Sequence, residues 1–389
     1  MSGVARLDPS ERLLMGPGPS NVHPRVYAAL AAPIVGHLDP EFLRVMEDSK
    51  GLLQEIFQTQ NQLTISVSGT GSAGMEACFT NIVEPGDRVV VCASGVFGLR
   101  MQDVAARCGA EVYTVEAPWG TAVTPEQVAE TVNDIPGNIK LLAIVHAETS
   151  TGVMQPLNDI VNIAKERDAL VLVDAVTSLG GIDIAVDALE IDACYSGTQK
   201  CLGCPPGLSP VTLNEKCLQV IRNRATKVQS WYLDLSMIEQ YWGEDRVYHH
   251  TAPISMNYAL REALSLVKEE GLERRWERHL MNHRALVDGL QALGLELVVE
   301  NDIRLPTLTT VRVPEGVDDI AVRKNLLANF NIEIGGGLGN FKGKAWRIGL
   351  MGHTSKIENV VLFLAALGAV LNGQGYGTDT GSAIQAAVG

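Results

Sequence analysis

From about residue 60 to residue 215 short apolar runs alternate with helical stretches, and this rhythm constrains the fold more than any other feature of the chain. The runs are 63–67, 88–92, 111–115, 141–145, 170–174, 193–196 and 209–213. Helical patterns such as 74–83 and 157–167 fall between most of them. Runs that are apolar throughout suit strands buried on both faces. Such strands alternating with helices predict an α/β fold: a mostly parallel, seven-stranded sheet covered on both sides. Pro85-Gly86-Asp87 and Gly180-Gly181 punctuate it as turns.

The texture changes after Asn257. A charged helical stretch, 258–293, contains Gly271 as a break. Short strands are expected at 295–299, 308–313, 332–334 and 346–349, with helices at 317–329 and 356–371. This reads as a smaller C-terminal α+β domain. The expected division is an N-terminal arm at 1–21, a large domain at 22–257, a small domain at 258–372 and a flexible tail at 373–389. The tail is placed there because its residues are rich in Gly, Ala, Thr and Ser.

Composition removes several classes of function. A net charge of −14 without a long basic run argues against nucleic acid and anionic membrane as partners. The longest apolar stretch, 360–371, has 12 residues and is too short to span a bilayer. The N-terminus lacks a charged region followed by an apolar one, and the chain ends Ala-Ala-Val-Gly, which is no peroxisomal address. Seven cysteines at irregular spacing fit a reducing cytosol, so a cytoplasmic protein is expected. Cys201 and Cys204 form a lone C-x-x-C with no second ligand pair nearby, and no metal site is expected.

The chemistry gathers at strand exits, where open parallel sheets bind ligands. Asp174 closes the run 170–174, and Lys200 follows the run 193–196 within Ser196-Gly197-Thr198-Gln199-Lys200. Glu148-Thr149-Ser150 follows the run 141–145. A lysine amine and a carboxylate so placed are what pyridoxal phosphate needs. The amine bonds the aldehyde as a Schiff base, and the carboxylate keeps the pyridine nitrogen protonated. A carboxylate at the end of a buried strand is costly without a cationic partner, and a pyridinium N–H is one.

Ser68-Gly69-Thr70-Gly71-Ser72-Ala73-Gly74 follows a strand and opens a helix, as a phosphate cradle does. It lacks the Gly-Lys-Ser/Thr ending of a Walker loop. It matches G-x-G-x-x-G formally, but a nicotinamide reading leaves Lys200 unexplained. An ordinary glycine-rich turn remains an alternative. Phe97, between Gly95-Val96 and Gly98, suits stacking on a planar ring or plain core packing. Arg347, in Trp346-Arg347-Ile348-Gly349, suits a fork on a substrate carboxylate or a place on a sheet edge.

In these segments the chain resembles the class V aminotransferases of pyridoxal-phosphate fold type I, and within them the alanine–glyoxylate and serine–pyruvate (serine–glyoxylate) group. The resemblance runs from Leu14-Met15-Gly16-Pro17-Gly18-Pro19-Ser20 to about Leu371. It is carried also by Gly36-His37, Glu148-Thr149-Ser150-Thr151-Gly152-Val153, Tyr248-His249-His250-Thr251 and Gly335-Gly336-Gly337-Leu338-Gly339. It implies a homodimer with shared active sites. Lys200 would bond the cofactor aldehyde and Asp174 the pyridine nitrogen. Phe97 would stack on the ring, where some relatives have Trp. Thr70, Gly71, Ser72 and Gln199 would hold the phosphate, with Tyr248 and Thr251 reaching it from the other subunit. Thr149 would sit beside the ring and its 3′-oxygen. Arg347 would bind the substrate carboxylate, and Gly18 would line a small substrate pocket. Two positions depart from the pattern. Ser72 stands where some relatives have His. Ala147 stands where several have Asn and cannot bond the 3′-oxygen.

The expected activity is ping-pong transamination of a small amino acid, alanine or serine, with a small 2-oxo acid, glyoxylate or pyruvate. Cysteine desulfuration needs a nucleophilic cysteine well after the lysine, and all seven cysteines lie at or before Cys217. An aminotransferase for 2-aminoethylphosphonate and a catalytically silent scaffold of the same fold are the alternatives.

Overall fold

The computed structural model describes residues 7–243 and 245–389. Seven strands form the central sheet: β1 (Leu63–Ser68), β2 (Arg88–Ala93), β3 (Glu111–Glu116), β4 (Leu141–Val145), β5 (Leu170–Asp174), β6 (Ala193–Tyr195) and β7 (Leu208–Leu213). Their order is β1-β7-β6-β5-β4-β2-β3. Every neighbouring pair is parallel except those made by β7, which runs antiparallel to both β6 and β1.

The continuous apolar runs have a direct cause. Side chains alternate between the two faces of a strand, and both faces here are covered. Val90, Cys92, Leu142, Ile144, Val171 and Val173 belong to one buried cluster. Val89, Val91, Leu141, Ala143, Leu170 and Leu172 belong to a second. Helix Ile254–Glu270 covers the first face through Ala259, Leu260, Ala263, Leu264 and Val267. The expected boundary after residue 257 therefore falls inside a helix of the large domain's core. The chain passes to the smaller unit at Gly271, in the left-handed region with φ +86°, and helix Leu272–Ala292 starts there.

The smaller unit carries an antiparallel sheet of β8 (Leu308–Arg312), β9 (Gly335–Gly336) and β10 (Ala345–Gly349), in the order β8-β10-β9. Two expectations change here. The run 295–299 makes no strand and contributes one isolated bridge, Leu297 to Val311. Ile332–Glu333 pairs in parallel with Leu13–Leu14 of the N-terminal arm, not with the three-stranded sheet. Met15 follows into the small unit's core, and its carbonyl accepts from Gly349 N at 2.7 Å. The arm is thereby fixed to this unit, and Pro17-Gly18 is carried towards the rim of the large sheet.

The expected loose tail at 373–389 is instead partly helical, Thr380–Val388. Asp379 caps it, accepting from Ser382 N at 3.0 Å. Ala383 and Ala387, four apart and therefore on one face, are buried in the core of the small unit. The Gly, Thr and Ser of the segment suggest looseness, but Ala383, Ala386 and Ala387 cluster near its end, and alanine is the strongest helix former. Among the described residues no helix is long and apolar enough to cross a membrane.

Candidate active site

The carboxyl ends of β4, β5 and β6 meet at one rim. Val145 pairs with Asp174, and Asp174 pairs with Tyr195. Lys200 lies on the turn that follows β6. A cavity of about 540 Å³, counting its mouth, opens there. Its walls include Thr70, Gly71, Ser72, Phe97, Thr149, Asp174, Gln199 and Lys200, eight of the residues singled out from sequence.

Asp174 is 3% exposed and Lys200 8% exposed. Asp174 Oδ1 accepts from Val176 N at 2.8 Å, and Oδ2 accepts from the Tyr195 hydroxyl at 2.7 Å. Burial pushes the carboxyl up to about 6, while these two bonds and the Lys200 charge pull it down and Glu148 pushes it further up. Burial also lowers the Lys200 amine to about 8, with the Arg347 charge adding to the fall. The amine donates to the Pro17 carbonyl. Gly18 has φ +108°, and a Cβ there would lie 2.7 Å from Lys200 Nζ. Only glycine lets the arm approach the amine so closely.

Helix Gly71–Ile82 begins at the opposite wall. Its N-cap, Thr70, makes no side-chain cap bond, so the first N–H groups face the cavity unclaimed by it. Arg100 adds a cation there, with Nη1 3.5 Å from Ser72 Oγ and the guanidinium 4.9 Å from the Phe97 ring centre.

Arg347 is buried on β10 and spans the two units. Nε donates to Gly336 O at 2.8 Å and Nη1 to Thr149 O at 3.1 Å. Burial lowers it to about 10, which leaves it cationic at neutral pH. Arg347 and Gly18 are not among the wall residues themselves; Arg347 is held against Thr149, which is, and Gly18 lies against Lys200.

Glu148, at a strand end and with no role assigned to it from sequence, is fully buried. Its carboxylate accepts from Phe97 N (3.1 Å), Gly98 N (3.2 Å), Ser150 N (3.0 Å) and Ser150 Oγ (2.5 Å). It caps the helix that carries Phe97 while its neighbour Thr149 holds Arg347. An acidic residue directly after a buried run was the available signal. The roles of Tyr195 and Arg100 had no sequence signal, since both depend on contacts across elements. Ala147 lines the cavity without a polar atom, as its side chain requires.

Tyr248 and Thr251 do not join this cavity. Tyr248 is 59% exposed, with its ring 5.2 Å from that of His37, and Thr251 is also exposed. A separate cleft of about 640 Å³ holds Arg275 and Arg278. Both guanidiniums there are spent on Glu270 and on backbone carbonyls. Among the described residues no cluster suits a metal ion.

The residues fit pyridoxal phosphate on their own terms. Gln199 Oε1 and Thr177 Oγ1, both at the cavity wall, are buried without a hydrogen-bond partner. An uncapped helix start, a buried carboxylate and a lysine of lowered pKa complete the set of donors and acceptors the cofactor uses.

This sheet order and this rim define the α/β architecture of fold type I pyridoxal-phosphate enzymes. The family model "Aminotransferase class-V" matches residues 23–344, and the chain belongs to that family and is an aminotransferase. It is 42% identical to (S)-ureidoglycine–glyoxylate transaminase of Bacillus subtilis (strain 168), over 100% of this chain and 97% of that one. It is 42% identical to alanine–glyoxylate aminotransferase of Rattus norvegicus, over 90% and 85%. The solved alanine–glyoxylate aminotransferase of Nostoc sp. superposes with a TM-score of 0.93 at 50% identity, covering 95% and 97%.

Proposed function

We propose that this aminotransferase uses pyridoxal phosphate to move an amine from a small amino acid to glyoxylate. The observation that carries the reading is the convergence of Lys200 and Asp174 in one buried cavity opposite the uncapped start of helix Gly71–Ile82. Glyoxylate is the acceptor in the names of the similar proteins above. Alanine and serine are the donors this reading favours. (S)-Ureidoglycine is a second candidate, because the Bacillus subtilis relative aligns with the whole of this chain.

Once bound, pyridoxal phosphate supplies a reactive aldehyde and an electron-accepting ring. The chain's residues divide the remaining work. Thr70, Gly71, Ser72 and Gln199 hold the phosphate, and Arg100 adds charge there. Phe97 would pack on the ring and Thr149 would lie beside its 3′-oxygen. Asp174 meets the ring nitrogen as a carboxylate. Lys200 Nζ would hold the cofactor through its aldehyde and, once freed, would move the proton from the substrate Cα to the cofactor carbon that bore the aldehyde. Arg347 holds the substrate carboxylate, and Gly18 leaves room for a small side chain only. Tyr248 and Thr251 serve the phosphate of the partner's site in a homodimer. Seven free, buried cysteines fit a reducing compartment and a cytoplasmic location.

The test is a screen of alanine, serine, (S)-ureidoglycine and 2-aminoethylphosphonate against glyoxylate and pyruvate, following the absorbance of the bound cofactor. Glyoxylate with one of the carboxylate donors should be fastest, and Lys200→Ala should abolish turnover. A preference for 2-aminoethylphosphonate, or full activity of Lys200→Ala, overturns the reading.

A further inference from the structure

We propose that Tyr195 is a positioning residue for transamination, its hydroxyl fixing the Asp174 carboxylate against the cofactor's ring nitrogen and keeping it ionised. The inference rests on the pyridoxal-phosphate reading above and extends it to a residue that touches the cofactor only through Asp174.

Four observations support it. The two residues sit opposite each other on adjacent parallel strands, β5 and β6. Tyr195 OH donates to Asp174 Oδ2 at 2.7 Å, and neither residue is open to water. Val176 N takes the other oxygen at 2.8 Å, so the carboxylate is gripped at both ends and its rotation is fixed. The Tyr195 ring is wholly buried within the core beneath one face of the sheet, which leaves it no open space to swing into.

The electrostatic consequence follows from what faces Asp174. Glu148 favours its protonation, Lys200 opposes it, and the Cys78 and Cys194 thiols on neighbouring elements are held neutral by burial. With burial already raising Asp174, the Tyr195 hydrogen bond does most to hold it as a carboxylate near neutral pH. A protonated Asp174 lacks the negative charge that pairs with a protonated ring nitrogen, so cofactor affinity should fall as pH drops through the Asp174 pKa. Without the hydroxyl, that fall begins at higher pH.

The experiment uses the full chain and pyridoxamine phosphate, which has no aldehyde and so binds without bonding Lys200. Calorimetric titration across pH compares wild type, Tyr195→Phe, Asp174→Asn and the double variant. Tyr195→Phe keeps the buried ring. It should weaken binding about tenfold, the usual worth of a hydrogen bond to a charged group, and shift the acid limb upward. In the Asp174→Asn background it should add little. Unchanged affinity and pH limb in Tyr195→Phe overturn the inference, as does an equal loss in both backgrounds, which is the mark of packing alone. If wild type binds neither pyridoxamine phosphate nor pyridoxal phosphate, the cofactor reading fails first and takes this inference with it.

Discussion

Lys200 combines two demands that ordinarily conflict. Its amine must be neutral to attack an aldehyde, yet a lysine in water is almost wholly protonated at pH 7. Burial resolves this by lowering the amine to about 8. The sign follows directly: the reactive form is the deprotonated one, so uptake of cofactor aldehyde by the apo-protein should accelerate as pH rises, and level off above about 8. A stopped-flow series across pH checks this, and a rate flat from pH 7 upward would contradict it. Arg347 makes the opposite demand, since it must stay charged while buried, and its pKa of about 10 allows that. Arg347→Ala removes the fork and leaves a substrate carboxylate unpaired. Losing one partner of a buried charge pair costs about 2–4 kcal/mol, roughly 30- to 1000-fold in kcat/KM. The loss should appear mainly in the KM of the donor, with cofactor affinity little changed.

The site is assembled from element ends. β4, β5 and β6 deliver Glu148, Asp174 and Lys200 to one rim because they are adjacent and parallel. Glu148 accepts two hydrogen bonds from the helix of Phe97, and the carbonyl of its neighbour Thr149 accepts one from Arg347, so this one segment ties together two elements that are remote in sequence. At the other end of the chain, helix Thr380–Val388 covers the core of the small unit. Truncation after Gly377 should uncover ~100–150 Å² of apolar surface, a loss of about 2.5–4 kcal/mol at ~25 cal/mol per Å². Differential scanning calorimetry should record a clear fall in Tm. An unchanged Tm would show that the segment is dispensable, as its composition alone suggested.

At the scale of the whole molecule, the cavity as one chain builds it takes nothing from Tyr248 or Thr251. If those residues complete the partner's site, two defective chains should complement each other. Lys200→Ala mixed with a Tyr248→Ala, Thr251→Ala double variant gives hybrid dimers with one intact site. Activity should therefore reappear on refolding the mixture, though neither parent is active. No recovery would argue that each chain acts alone.

The central sheet was legible in the order of residues, because strands buried on both faces must be apolar throughout. Asp174 and Lys200 could be singled out in the same way, since charged groups directly after such runs stand out against them, and both line one cavity. The same order of residues mistook 295–299 for a strand and 373–389 for a loose tail. In both, the deciding factor was what packs alongside: one bridge to Val311 in the first, an alanine face docked on the small unit's core in the second. The bond from Tyr195 to Asp174, the seating of Phe97 by Glu148 and the reach of Arg347 to Thr149 were not legible in the order of residues. Those bonds join residues on different strands and helices. Their partners are set by strand pairing and packing, which spacing along the chain does not encode.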